Sequence, residues 1–218
     1  IHEDNHLLAV FKPAGLLVQG DRSGDPTLLE AARAYLKRVY AKPGNVYVGL
    51  VHRLDRPVSG VVLLARTSKA AGRLAAQFRD RTVSKDYFAL VSGTPERDRD
   101  VIDCPIGMHP THREKMAIRR DDSQSRHAET FYEVAERFDG FAAIRVVPKT
   151  GRTHQIRVHL AHVGAPVLCD RQYGGRARIT RGEIRRDPSD TLVLLTRQAL
   201  HAARLKFTHP ATGEPIEV

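Results

Sequence analysis

An α+β fold is predicted for the 218 residues of this chain, on three observations. Apolar residues recur at helical spacing in three separated stretches, and they alternate or run unbroken in short stretches between. Gly, Pro and Asn mark the joints. A content of 41% hydrophobic residues is enough for a core that no disulfide or metal needs to supplement.

Residues 6–11 (HLLAVF) read as a strand, turned afterwards by Pro13 and Gly15. Residues 27–40 place Leu28, Leu29, Ala32, Leu36 and Val39 on one helical face behind Pro26, and KPGN at 42–45 ends that helix. Residues 46–50 lead into the central stretch, where Ser59-Gly60 supplies a backbone break and 61–65 (VVLLA) a buried strand. Thr67 or Ser68 can cap a second helix running to about Phe78, with Ala71, Leu74, Ala75 and Phe78 as its buried stripe. Residues 85–92 form a strand, 93–100 a turn-rich connection and 101–106 a short strand.

From 109 to 126 the composition turns polar and basic, which predicts a mobile or RNA-facing loop or else a solvated surface hairpin. Residues 128–138 and 141–147 alternate around Asp139-Gly140, the signature of a long antiparallel pair closed by a type I′ turn. Thr153 is the expected cap of a third helix from about His154 to Val163, with Ile156, Leu160 and Val163 inward and Gly164 and Pro166 as its stop. Residues 171–186 make a second basic surface segment, and 192–195 and 200–207 the last strands. No internal repeat or low-complexity linker appears. Residues 1–218 are expected to be one domain, and an elongated domain of two lobes is equally compatible.

Lys and Arg number 35 against 25 Asp and Glu, a net charge of +10, so a polyanion is the expected partner and nucleic acid the foremost one. The two cysteines, Cys104 and Cys169, have neither CxxC spacing nor a zinc-type His partner, which fits a reduced cytoplasmic protein. No apolar run approaches the roughly eighteen residues a membrane span needs, and the N-terminus lacks a signal-peptide layout. His154 and His159 lie five apart, not the four of HExxH, and Ser59 lacks a GxSxG elbow. Neither a metal nor a serine nucleophile is expected.

The chemistry concentrates in residues 51–65, VHRLDRPVSGVVLLA. Between 51 and 79, Asp55 is the sole acid among Arg53, Arg56, Arg66, Lys69, Arg73 and Arg79. Cations that close favour an ionised carboxylate. HRLDRPVSG resembles the signature of the RluA-type pseudouridine synthases, usually HRLDxxTSG. Further stretches similar to that family follow in its order: KPAGLLV from Lys12, KDYFALVSG from Lys85, IDCPIG from Ile102, TGRTHQIRVHL from Thr150, CDRQYG from Cys169 and ALHAARLKFTHP from Ala199.

The resemblance implies a mixed, mostly antiparallel sheet with flanking helices and loops and a central catalytic cleft. It also implies isomerisation of uridine in ribosomal or transfer RNA, without cofactor, by a monomer. Asp55 would be the catalytic aspartate, leaving open whether it attacks C1′, adds to the base or takes a sugar proton. Tyr87 would abut the target base and Arg157 would pair with the aspartate. Arg53 would take the space of the extruded uridine, with Lys12, His52, Arg152, Thr153, His154 and Gln155 as further substrate-binding residues.

On residue type alone, Tyr87 reads as a core aromatic, Arg157 as a phosphate contact, Arg53 as half of a salt bridge and His52 as a hydrogen-bonded structural histidine. Many family members carry a small RNA-binding domain N-terminal to this region; the chain opens at Ile1 rather than Met, and no such domain falls within 1–218. Two residues depart from the family pattern. Val58 stands where Thr is usual, and Cys169 where Gly is usual before Asp170. A catalytically silent RNA-binding factor and a histidine-metal hydrolase are the competing readings, the first kept open by these departures and the second by the histidine count.

Overall fold

The computed structural model describes residues 1–218. In chain order the elements are β1 (His2–Glu3), β2 (Leu7–Lys12), α1 (Leu28–Val39), β3 (Gly49–Leu50), β4 (Ser59–Ala65), α2 (Ser68–Arg79), β5 (Ser84–Ser92), β6 (Arg99–Asp103) and β7 (Ile106–Met108). They continue with β8 (Met116–Ile118), β9 (Glu129–Phe138), β10 (Phe141–Pro148), α3 (Gln155–His162), β11 (Ile179–Thr180), α4 (Arg181–Arg185), β12 (Val193–Leu195), β13 (Leu200–Thr208) and β14 (Pro215–Glu217). The fold is α+β, and the strand pairings described below are antiparallel. The chain divides into two units, Ile1–Ser84 with Ala202–Val218, and Lys85–His201. No helix is long and apolar enough to cross a membrane.

In the first unit β2 pairs with β1 on one edge and with β4 on the other, in register from Leu7 opposite Ala65 to Lys12 opposite Gly60. All seven residues of β4 are buried, as an unbroken apolar run requires. Val61, Leu63 and Ala65 pack with Leu7 and Ala9 of β2, Ala70 and Leu74 of α2, and Leu205 and Phe207 of β13. Burying a side chain such as Leu63 contributes about 1.5–3 kcal/mol. Helix α1 starts at a capping box, with Glu30 N donating to Thr27 Oγ1 at 3.2 Å and Thr27 N to Glu30 Oε2 at 2.9 Å. Helix α2 starts where Ala70 N donates to Thr67 Oγ1 at 3.1 Å. Ala70 is buried in α2 while Ala75 is exposed, one position's rotation from the expected stripe.

The expected break at Ser59-Gly60 is instead part of β4. Gly60 has φ 130°, and a Cβ there would lie 2.2 Å from the Ala202 carbonyl oxygen. Glycine is present because a second backbone passes close by, not because the chain turns.

In the second unit β5, β10, β9 and β6 follow one another across the sheet. Strands β9 and β10 are the long pair the alternation predicts, joined by Asp139-Gly140 with Phe138 opposite Phe141. Only Gly140 of those two residues has positive φ, so the turn is not type I′, which needs both. The strand expected over 101–106 breaks at Cys104-Pro105: β6 pairs with β9, and β7 pairs with β8. Residues 109–126 therefore contain a hairpin strand rather than loop alone. The third helix is α3, capped by His154 at φ 55° with no side-chain cap, so Thr153 does not serve as its N-cap. Gln155 to Leu160 are all buried, whereas Val163 is 37% exposed. A helix enclosed on all sides cannot show the one-sided stripe that 3.6-residue spacing predicts.

Candidate active site

The residues singled out above fall into two groups, one in each unit. In the first, Leu54 and Val58 are buried at 5% and 3% exposure and anchor the loop between β3 and β4. Asp55 lies half-buried between them, with Arg53 and Arg56 exposed on either side. Val58 N donates to Asp55 O at 3.1 Å, closing the turn. The Arg56 carbonyl then accepts from Gly15 N at 2.8 Å and from Lys12 Nζ at 3.1 Å, while Arg56 Nε donates to Gly15 O at 3.0 Å. The turn that carries Asp55 is thus stapled by backbone to the Lys12-Pro13-Ala14-Gly15 segment.

Lys12 is fully buried, and its ammonium also donates to Pro13 O at 3.0 Å and Leu16 O at 2.8 Å. Three carbonyls use its three N–H bonds. Burial pushes Lys12 down to about 8, and the Asp55 charge opposes that shift. His52 Nε2 accepts from Leu63 N at 2.9 Å and its ring stacks on Phe78 at 4.8 Å, so the imidazole joins the loop to β4 and α2. Arg53 is exposed and forms no ion pair, which leaves a cation available to a ligand.

The second group is built on β5, α3 and the loop before α3. Tyr87 is half-buried on β5 opposite Val146, next to Asp86, whose buried carboxylate accepts from Arg145 Nε at 2.7 Å. Gln155 is 4% exposed with every hydrogen-bonding position used: Oε1 accepts from Thr150 Oγ1 at 2.6 Å and Arg152 N at 2.9 Å, and Nε2 donates to Glu129 O and Thr130 Oγ1, each at 2.9 Å. It is the staple between α3 and β9. Arg152 Nε donates to His127 O at 3.0 Å, Thr153 is exposed, and His154 Nδ1 lies 2.9 Å from the Tyr173 hydroxyl. His159 bridges Thr130 Oγ1 and Cys104 O, and burial lowers its pKa toward the neutral form.

Arg157 is 3% exposed. Its Nε donates to Asp170 Oδ2 at 2.6 Å and its Nη2 to Asp170 Oδ1 at 2.9 Å, a bidentate pair. Nη2 also donates to Gln172 Oε1 at 2.6 Å, the Gln198 amide oxygen accepts from it at 2.9 Å, and Cζ sits 4.8 Å from the centre of the Tyr173 ring. Asp170 is fully buried and also accepts from Gln172 N and Tyr173 N. Removing one partner of such a buried pair typically costs 3–5 kcal/mol.

Sequence reasoning assigned no role to Asp170, Gln172, Tyr173 or Gln198. One signal was present: residues 140–169 contain no acid but several cations, and Asp170 is the first carboxylate after that run. Cys169 has φ 59°, the left-handed region that a glycine enters freely, which accounts for the family's usual residue there. Val58, the other departure, is turned into the core. No three His, Cys, Asp or Glu side chains converge to hold a metal ion.

A family model described as RNA pseudouridylate synthase matches residues 6–162. The ribosomal large subunit pseudouridine synthase D of Xanthomonas campestris is 42% identical over 99% of this chain, and the synthase C of Vibrio vulnificus 38% identical over 100%. The chain spans 63% and 64% of those two proteins. Among solved structures, human RNA Pseudouridylate Synthase Domain Containing 4 aligns with TM-score 0.79 at 26% identity, covering 99% of this chain and 85% of that one. Human RNA Pseudouridylate Synthase Domain Containing 1 aligns with TM-score 0.75 at 29% identity, covering 100% and 80%.

Proposed function

The chain belongs to the RNA pseudouridylate synthase family, and from that premise we propose that it isomerises uridine to pseudouridine in structured ribosomal or transfer RNA, with Asp55 as nucleophile and no cofactor. The reaction breaks the N1–C1′ bond, turns the base and joins C5 to C1′. The C5 proton leaves to solvent and N1 takes one up, so no redox partner or net hydrolysis is involved. Such chemistry needs one ionised carboxylate, a pocket that retains the detached base and few waters to intercept it.

The observation that carries this reading is Asp55 itself. It is the sole acid of residues 51–79, half-buried, on a turn that the Val58 amide closes and that Gly15 and Lys12 tie down at Arg56. Glycoside hydrolysis would call for a second carboxylate flanking the bond. Tyr87 and Arg157 are proposed to complete the catalytic set, the tyrosine against the uracil ring and the guanidinium fixing the carboxylate's orientation. Arg53, exposed and without an ion pair, suits the space that an extruded base vacates. Lys12, His52 and Gln155 are proposed to act by holding the two regions in shape. Arg152, Thr153 and His154 form the more accessible edge for the RNA. The chain would work as a monomer in the cytoplasm, where ribosomal and transfer RNA are found.

RNA labelled with tritium at uridine C5 tests the proposal, because label is released only when C5 acquires its new bond. Release from total ribosomal or transfer RNA is expected. Tight, salt-sensitive RNA binding without any release would replace the proposal with a silent RNA-binding factor.

A further inference from the structure

Tyr173 has no part in the chemistry above, yet it touches β7, β8 and α3 of the second unit and the loop at Asp170. Its hydroxyl accepts from the Met116 amide at 2.8 Å and shares a second hydrogen bond with His154 Nδ1 at 2.9 Å. Its ring lies against the Arg157 guanidinium at 4.8 Å. Its backbone N donates at 3.3 Å to Asp170 Oδ1, the oxygen that also accepts from Arg157 Nη2. With Met116 and Ile118 of β8 it packs against Ile106, Ala128 and Val158.

The Met116 bond is not part of the hairpin's own ladder. His109 N donates to Lys115 O at 2.9 Å, and antiparallel alternation then turns the next amide, Met116, away from β7. The Tyr173 hydroxyl is therefore the partner this amide finds outside the hairpin. The tip it secures carries His109, His112, Arg113 and Lys115, a set suited to phosphate.

We propose that Tyr173 is a positioning residue that ties the β7–β8 hairpin to the Arg157 cluster, so that the order of the hairpin cations and the setting of the guanidinium depend on one hydroxyl and one ring. This rests on the RNA isomerisation proposed above, in which the hairpin cations meet RNA phosphates. Phosphate engaged at Arg113 or Lys115 orders β8, β8 holds the Tyr173 hydroxyl, and the ring keeps the Arg157 plane against Asp170.

The test uses Tyr173→Phe, Lys115→Ala and the double variant of the full chain, with end-labelled total ribosomal RNA as probe. In Y173F, tryptic cleavage after Arg113 and Lys115 should rise about 3–10-fold, the scale of one lost hydrogen bond. K115A should weaken RNA binding in the parent and clearly less in the Y173F background, a non-additivity expected only where two groups act as a unit. Unchanged cleavage, or fully additive effects on binding, would overturn the proposal. Should Y173F not fold, hydrogen exchange at the parent's Met116 amide decides: protection is expected, and exchange at the rate of an open loop amide overturns it. Proteolysis and exchange need no turnover. Absent tritium release therefore strikes only the functional reading, while unchanged cleavage with release intact strikes only the role of Tyr173.

Discussion

Asp55 and Arg157 are both charged residues for which a catalytic role is proposed, and the contacts around them are of opposite kinds. Asp55 is half-buried, and the turn that carries it is held through main-chain groups: the Val58 amide closes it, and the Arg56 carbonyl accepts from the Gly15 amide and from the fully buried Lys12 ammonium, which gathers three loop carbonyls. Arg157 is buried and fixed by side chains, a bidentate Asp170 together with Gln172, Gln198 and the Tyr173 ring. A group fixed through its backbone can lose its side chain without unfolding the loop. A group fixed through its side chain cannot, because its partners are then buried without a countercharge.

The sharpest contrast is between Asp55→Ala and Asp170→Ala. D55A is expected to lower tritium release by about 10⁴-fold or more, as loss of a nucleophile does in other enzymes, with the melting temperature moved by no more than about 2 °C. D170A should lower activity too, but with a loss of about 3–5 kcal/mol in stability, or about 10 °C in melting temperature for a chain of this length. Equal thermal shifts in the two variants would break the comparison.

Next in size is Lys12→Met, which removes the ammonium and leaves three carbonyls to find water. About a tenfold loss of activity is expected from a loosened Asp55 turn. The parent should also lose activity as pH rises through about 8, where Lys12 deprotonates, and K12M should lack that limb. Stability moves the other way. The folded value lies below the unfolded one, so the unfolded chain binds more protons from about 8 up to about 10.4, and this group's contribution to stability rises with pH over that window. Activity falling while the melting temperature holds or rises would identify the loop rather than global unfolding as the cause.

The smallest effect is expected for Cys169→Gly, at the left-handed position beside Asp170. Relief of φ strain of about 1 kcal/mol is set against the lost thiol contact and the greater freedom of glycine in the unfolded chain. The net change should stay within about 1 kcal/mol, with tritium release intact. A large loss of activity would mean that the thiol contributes to the Arg157 cluster in a way its 3.6 Å contact with Leu195 O does not suggest.

Much of the fold could be read locally. Strand β4, helices α1 and α2 and the β9–β10 pair each announce themselves through spacings of one, two or four residues, with caps at Thr27 and Thr67. The Asp55 loop was equally legible, since a lone acid among cations just ahead of an apolar strand is a local pattern. Two errors fell where distant segments intervene, Gly60 because Ala202 passes beside it and α3 because it is enclosed on every side; a third, the Asp139-Gly140 turn, is local, because the sign of φ at Asp139 is not carried by residue type.

By itself, then, the amino-acid order determined most of the longer helices and strands, where the carboxylate proposed to react sits and that the chain is drawn to polyanions. It did so because neighbours in sequence share a face and charge sums without regard to folding. Only the tertiary structure decided that Lys12 is buried under three carbonyls, that Gln155 has no valence left for a ligand and that Arg157 takes Asp170 as its partner. Choices among donors and acceptors far apart in the chain depend on which groups folding brings within 3 Å after water is excluded, and residue spacing carries no record of that.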